Sequence, residues 1–132
     1  MVPVVFLTAY SDPETIGRAR RTGAYGYLLK PYDDRKLRTT IETALRRYRA
    51  DVRDLIDVQE PPVRVPAAGV LIVEDEVIIA ADLKQKLEYA GFRVLGVEDT
   101  GEGAIAAASE LEPDVVIMTS TSGVRWMVSR LP

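Results

Sequence analysis

The sequence predicts a layered α/β domain built on a five-stranded parallel sheet, and three observations predict it. Five short apolar runs rich in β-branched residues recur along the chain, and helical segments alternate with them. Strands separated by helices of this length pair in parallel and are covered on both faces, which gives three layers. The chain has 132 residues, 47% of them hydrophobic, enough for the core of one domain.

Met1–Leu7 (MVPVVFL) reads as a buried strand. Ser11-Asp12-Pro13-Glu14 has the spacing of a capping box with proline in the first turn, opening a helix that runs to about Thr22 and stops at Gly23. Ala24–Leu29 is a second strand, closed by Lys30-Pro31. From Asp33 a long helix places Leu37, Ile41, Leu45, Tyr48, Val52 and Leu55 on one face, with Arg46, Arg47, Arg49 and Arg53 mostly outside it. Gln59–Ala68 carries three prolines and reads as a stiff linker.

Val70–Val73 is the third strand and runs into Glu74-Asp75-Glu76. The helix from about Val77 carries Ile79, Leu83 and Leu87 at four-residue steps and ends at Gly91. Phe92–Val97 is the fourth strand. Thr100 caps a helix through Ala104, Ala107, Ala108 and Leu111, which Pro113 terminates, and Val115–Met118 is the fifth strand. Thr119–Pro132 has no clear period. The order is β-α-β-α, linker, β-α-β-α-β, with no internal repeat.

Composition excludes several chemistries. Cysteine and histidine are both absent, so there is no disulfide, no thiolate metal site and no imidazole base. No apolar run approaches the ~20 residues of a membrane span, and no signal-peptide pattern opens the chain, so a soluble cytoplasmic protein without a membrane partner is expected. The net charge of −3 argues against nucleic acid as the main partner. Residues 1–57 carry 11 basic and 8 acidic side chains, residues 58–132 carry 6 and 12, so the two parts attract weakly.

Four motifs at matching intervals resemble the receiver domain of two-component response regulators. Leu71–Glu76 (LIVEDE) is similar to the first receiver strand with its acidic pair, and Pro113–Met118 (PDVVIM) to the third, which leads to the phosphoacceptor. Val4–Asp12 (VVFLTAYSD) is similar to the fourth strand with its threonine, and Gly23–Tyr32 (GAYGYLLKPY) to the fifth with its switch aromatic and Lys-Pro. The resemblance covers nearly everything except the linker and the tail.

The order differs from the family's: strands four and five come first here, then one, two and three. Residues 1–57 resemble the C-terminal half of a receiver and 69–118 the N-terminal half, joined by the proline-rich linker 58–68. The resemblance implies a flavodoxin-like three-layer sandwich of strand order 2-1-3-4-5, circularly permuted, with the third helix missing or replaced. Ten linker residues reach up to ~33 Å when extended, enough for the join. Two origins remain open: a permutant closing on itself, or the tail of one receiver followed by the head of the next. Either is compatible with completion within one chain or by swapping halves in a homodimer. With the third helix lost, an apolar patch is expected on one sheet face, which would favour dimers.

In the family, Mg²⁺ sits on the acidic pair, the acceptor aspartate and a backbone carbonyl beyond it. Carried over, Glu74 and Asp75 are the acidic pair, Thr8 bonds a phosphoryl oxygen, Lys30 pairs with it, Tyr27 is the switch and Thr121 supplies the carbonyl. The acceptor position is Thr119, whose hydroxyl needs a base that histidine cannot supply here. Mg²⁺ is therefore expected to be weak or absent. Asp114 is no substitute, lying ~16 Å back along the strand at the opposite end of the sheet. Plainer readings stand beside these. The acids suit a helix N-terminus, Thr8 a strand end, Lys30-Pro31 a turn, Tyr27 core packing, and the arginines a solvated face.

The tail lacks the pattern that follows a receiver acceptor, but its codons constrain what preceded it. Trp126-Met127-Val128 must be TGG ATG GTN, and one base earlier this reads Asp-Gly. Permitted codons across the tail then give Met-Asp-Ile-His-Leu-(Trp or Arg)-Gly-Glu-Met-Asp-Gly-Ile-Glu-Ala-Ala, similar to the family pattern and including the acceptor. A single-base deletion at the acceptor codon, with 119–132 frameshifted, is the expectation. The resemblance thus implies a non-enzymatic, phosphorylation-deficient receiver with a sensor histidine kinase as partner. The rivals are a phosphotransfer-competent receiver with another acceptor, a receiver-like interaction or dimerisation module, and a remnant of a tandem-receiver protein with no independent function.

Overall fold

The structure, a computed structural model, describes residues 2–8, 25–30, 32–56 and 68–119, without the side chains of Thr8 and of 53–56. The predicted helix at 11–22, most of the linker and the tail from 120 onward, Thr121 included, lie outside the described residues. The strands are β1 (Val4–Thr8), β2 (Gly26–Leu29), β3 (Gly69–Val73), β4 (Arg93–Glu98) and β5 (Val115–Met118). The helices are α1 (Asp34–Ile56), α2 (Val77–Tyr89) and α3 (Gly101–Leu111).

All five strands are parallel, in the spatial order β2-β1-β5-β3-β4. Numbered along this chain, that is not 2-1-3-4-5. Counted instead from β3, through β4, β5 and β1 to β2, the same sheet reads 2-1-3-4-5 from the β4 edge. The two halves meet inside a single chain at β1 and β5, where Val4, Val5 and Phe6 pair with Val116, Ile117 and Met118. One copy thus pairs all five strands in one sheet.

Burial explains why the inner strands are continuous apolar runs. Every residue of β3 and β5 is buried, as expected for strands packed on both faces. The edge strands β4 and β2 are only partly covered. A bulge between Val70 and Leu71 shifts the β3–β4 register past Leu95, interrupting strict alternation at that edge.

One face of the sheet packs against α1 and α2. Val5, Leu7, Val70, Ile72, Val115 and Ile117 meet Leu37, Ile41 and Leu45 of α1 and Leu83 and Leu87 of α2 there. In α2 the stripe starts at Ala80, whereas the four-residue steps placed Ile79 in it; Ile79 sits at the margin, half-buried. The opposite face packs against the small side chains Ala104, Ala107 and Ala108 of α3. The apolar patch expected from a lost helix is not on this face: Val4, Phe6, Leu71, Val73, Val116 and Met118 are all 6% exposed or less.

The helix ends follow their local chemistry. Asp33 Oδ1 accepts the Lys36 N–H at 2.7 Å ahead of α1, and Thr100 Oγ1 accepts the Gly103 N–H at 3.0 Å ahead of α3. After α2 the chain turns through Gly91 at φ 97°, with Phe92 N–H on Leu87 O and Gly91 N–H on Glu88 O, both 3.0 Å. That double closure needs the left-handed residue glycine adopts freely. Among the described residues, no helix is long and apolar enough to cross a membrane.

Candidate functional site at the carboxyl edge of the sheet

Parallel pairing brings the ends of all the strands to one edge, and the register decides which residues meet there. Val73 pairs with Met118, so the next residues, Glu74 and Thr119, stand side by side. Phe6 pairs with Met118 and Thr8 with Leu29, which puts Thr8 and Lys30 at the same edge. Asp114 lies at the other end, where its backbone N–H donates to Gly69 O at 2.8 Å. This is the end of the sheet at which the sequence places it.

Glu74 is the buried polar residue of the described core, 6% exposed. Its Oε1 accepts the Glu76 N–H at 2.9 Å, and its Oε2 accepts the Thr119 hydroxyl. Thr119 Oγ1 also lies 3.2 Å from the Val73 carbonyl, and the Thr119 N–H donates to that carbonyl at 3.1 Å. Thr119 thus joins the ends of β3 and β5 through both backbone and side chain. Asp75 and Glu76 are exposed, and no acid occupies the first turn of α2. Glu74 is turned inward, which sets it apart from an acid that serves only a helix N-terminus.

Burial pushes the Glu74 carboxyl above its ordinary range, because the charged form loses hydration. The neighbouring Asp75 raises it further, while the Glu76 amide and the positive charge of Lys30 pull it down. Lys30 therefore lies within electrostatic reach of Glu74. Tyr27 pairs with Phe6 in the sheet and packs, partly buried, against the α3-side cluster.

A cavity of about 440 Å³ opens beside this edge, between α2 and the segment that leads from β2 to α1. Thr119 and Lys30 border it, together with Tyr32, Ile78, Ile79, Asp82, Leu83 and Lys86. Lys86 Nζ is 2.9 Å from Asp82 Oδ2 and 5.3 Å from the centroid of the Tyr32 ring. The sequence reading did not single out this wall. The signal was present: Asp82 and Lys86 are four residues apart, flanking Ile79 and Leu83. Which strand end that helix face would meet was not readable from spacing.

The structure therefore gathers Glu74, Asp75, Lys30, Thr119 and the backbone of Thr8 at one edge, with Tyr27 on β2. Among the described residues, no group of three or more Asp, Glu, His or Cys side chains is placed to hold a metal ion. Glu74 and Asp75 are the carboxylates at this edge, and both Glu74 oxygens accept protein hydrogen bonds.

Part of the chain is similar to bacterial regulatory proteins. It is 39% identical to the transcriptional regulatory protein ZraR of Escherichia coli over 70 residues, 53% of this chain and 15% of that protein. It is 43% identical to the transcriptional regulatory protein PdtaR of Mycobacterium tuberculosis over 49 residues, 37% of this chain and 24% of that protein. It is 41% identical to the regulatory protein LuxO of Vibrio cholerae over 46 residues, 35% of this chain and 10% of that protein. The chain thus spans a quarter or less of these relatives. No family model matches it, and no solved structure matches it.

Proposed function

We propose that the chain is a receiver-like module of two-component signalling that no longer takes up phosphate at its acceptor position. The carrying observation is the Thr119–Glu74 pair: a hydroxyl bonded to a buried carboxylate, at the strand end where the resemblance puts an acceptor aspartate. Partial similarity to regulatory proteins supports the lineage. On this reading a sensor histidine kinase is the partner by descent, and the module acts through protein contact rather than as an enzyme. Circular permutation describes how its halves are ordered, with 119–132 the product of a slipped frame.

The ancestral chemistry is phosphoryl transfer to a carboxylate that is charged at neutral pH. Thr119 offers a neutral hydroxyl instead, in contact with the Glu74 carboxyl and the Val73 carbonyl. Lys30 still contributes a positive charge toward an arriving phosphoryl group, and Thr8 stands at the strand end beside it. With Glu74 occupied by the Glu76 amide and the Thr119 hydroxyl, Mg²⁺ is held weakly or not at all.

Incubation with Mg²⁺ and acetyl phosphate, read by intact mass, tests the proposal. Wild type is expected to show no phosphate adduct, and Thr119→Asp to gain one that hydroxylamine removes. An acid-stable adduct on wild type would overturn the claim of deficiency. No adduct on a folded Thr119→Asp variant would count against the receiver reading itself.

A further inference from the structure

Strand β4 ends the sheet on one side: among the described residues it pairs with β3 alone. Its inward backbone groups are used, since the Arg93 N–H donates to Ala68 O at 3.0 Å and Glu98 O accepts the Glu74 N–H at 2.9 Å. Backbone groups alternate in direction along a strand. The N–H and C=O of Val94, next to Arg93, and of Val97, next to Glu98, therefore point away from β3. An open row of this kind is a template for another strand.

The side chains along this edge complement themselves. Val94 packs, partly buried, against the cluster beneath α1 and α2; Val97 pairs with Ile72 of that cluster and is 41% exposed. By alternation Arg93 and Glu98 take the opposite face, where the Glu98 carboxyl lies against Gly103 at the start of α3. Laid antiparallel on a second copy, with Val94 opposite Val97, the strand brings Arg93 opposite Glu98 on one face and the valines together on the other. Gly96 then stands opposite Leu95, the extra residue of the bulge, and offers no side chain to obstruct it. Both copies carry the bulge, so the spacing from Val94 to Val97 matches across the pair.

We propose that β4 is a self-association edge: two copies pair it antiparallel about a two-fold axis and extend one sheet across both. On each side of the axis Val94 and Val97 exchange backbone hydrogen bonds, and Arg93 meets Glu98. The occupant is a second copy because a two-fold contact requires each residue to be matched by the partner's reciprocal one, which the opposite charges at the two ends of β4 supply. An unrelated strand leaves that match to chance. The proposal is independent of the receiver reading, since it uses neither Thr119 nor phosphate.

The experiment is sedimentation equilibrium of the full chain across a concentration series, with amide hydrogen exchange at Val94 and Val97 as the local readout. Wild type is expected to approach twice its monomer mass as concentration rises, while exchange at those two amides slows in step. Arg93→Glu and Glu98→Arg each set like charges opposite one another, and each should weaken self-association at least about tenfold. Mixed in equal amounts, the two variants should associate with each other about as well as wild type does with itself, because every like pair becomes an opposite one. Val97→Pro should stay folded, since its N–H faces away from β3, and should remain monomeric. Wild type that is monomeric at every concentration overturns the proposal, as do charge reversals without effect or folded variants that fail to associate when mixed. Dimers whose exchange protection lies elsewhere in the chain would place the contact on another surface and overturn it too.

Discussion

At both ends of the β3–β5 pair a carboxylate ties the two strands together, but the two ties differ in kind. At the amino end Asp114 Oδ2 accepts the Gly69 N–H at 2.7 Å, while its own N–H donates to Gly69 O. That carboxylate is only part-buried, and it satisfies a backbone donor that the start of a strand would otherwise leave open. At the carboxyl end Glu74 is buried, takes a side-chain hydroxyl from the neighbouring strand, and has its carboxyl pushed up by loss of hydration. One acid closes a strand end at low electrostatic cost. The other is a buried carboxyl whose charged form is disfavoured by lost hydration, at the edge where a cavity opens.

The largest expected effect breaks the scaffold side of this comparison. Asp114→Ala leaves the Gly69 N–H without its charge-assisted partner and should cost about 2 kcal/mol in urea unfolding. Thr119→Val removes the hydroxyl from Glu74 and should cost about 1 kcal/mol, because a buried carboxylate loses one donor. It should also move the Glu74 titration further upward, read by carboxyl carbon shifts. If Thr119→Val proved the costlier of the two, the division into scaffold and chemistry would be reversed.

Glu74→Gln sharpens the comparison through pH. The folded carboxyl titrates above the ordinary glutamate value of 4.5, with burial the main cause. Protonated Glu74 is thus favoured by folding. Its stabilising contribution is complete below the unfolded value and is lost as pH rises through the folded one. Wild-type stability measured relative to Glu74→Gln should accordingly fall as pH rises from about 4.5 through the folded titration. A difference that is flat or rising across that window would mean the charge is fully compensated. The smallest effect is expected at the rim. Ile78→Asp should change stability by no more than about 0.5 kcal/mol, since its side chain is largely in water.

Much of this fold was legible from local chemistry. The five strands were placed within a few residues, Thr100 and Gly91 act as cap and stop, and Asp114 sits just before β5, at the end of the sheet opposite Thr119. The candidate site was legible only as a set of residues. That Glu74 would turn inward while Asp75 and Glu76 faced water could not be read from three consecutive acids. Nor could the pairing of Thr119 with Glu74, because the two are 45 residues apart and meet only through the β3–β5 register. The expected apolar patch failed for a related reason: coverage of a sheet face depends on everything that packs over it, and the face beneath α3 is buried throughout its described residues.

By itself the sequence determined the alternation of strands and helices, their caps, the absence of imidazole and thiolate chemistry, and a hydroxyl after β5. These follow from properties of single residues and from short periodicities. Tertiary structure alone decided that the halves close into one sheet within one chain, that Thr119 meets Glu74, and that Lys30 lines one cavity with Ile78, Ile79 and Leu83. Those outcomes depend on strand register and on the angle at which a helix crosses a sheet, which packing settles across the whole domain.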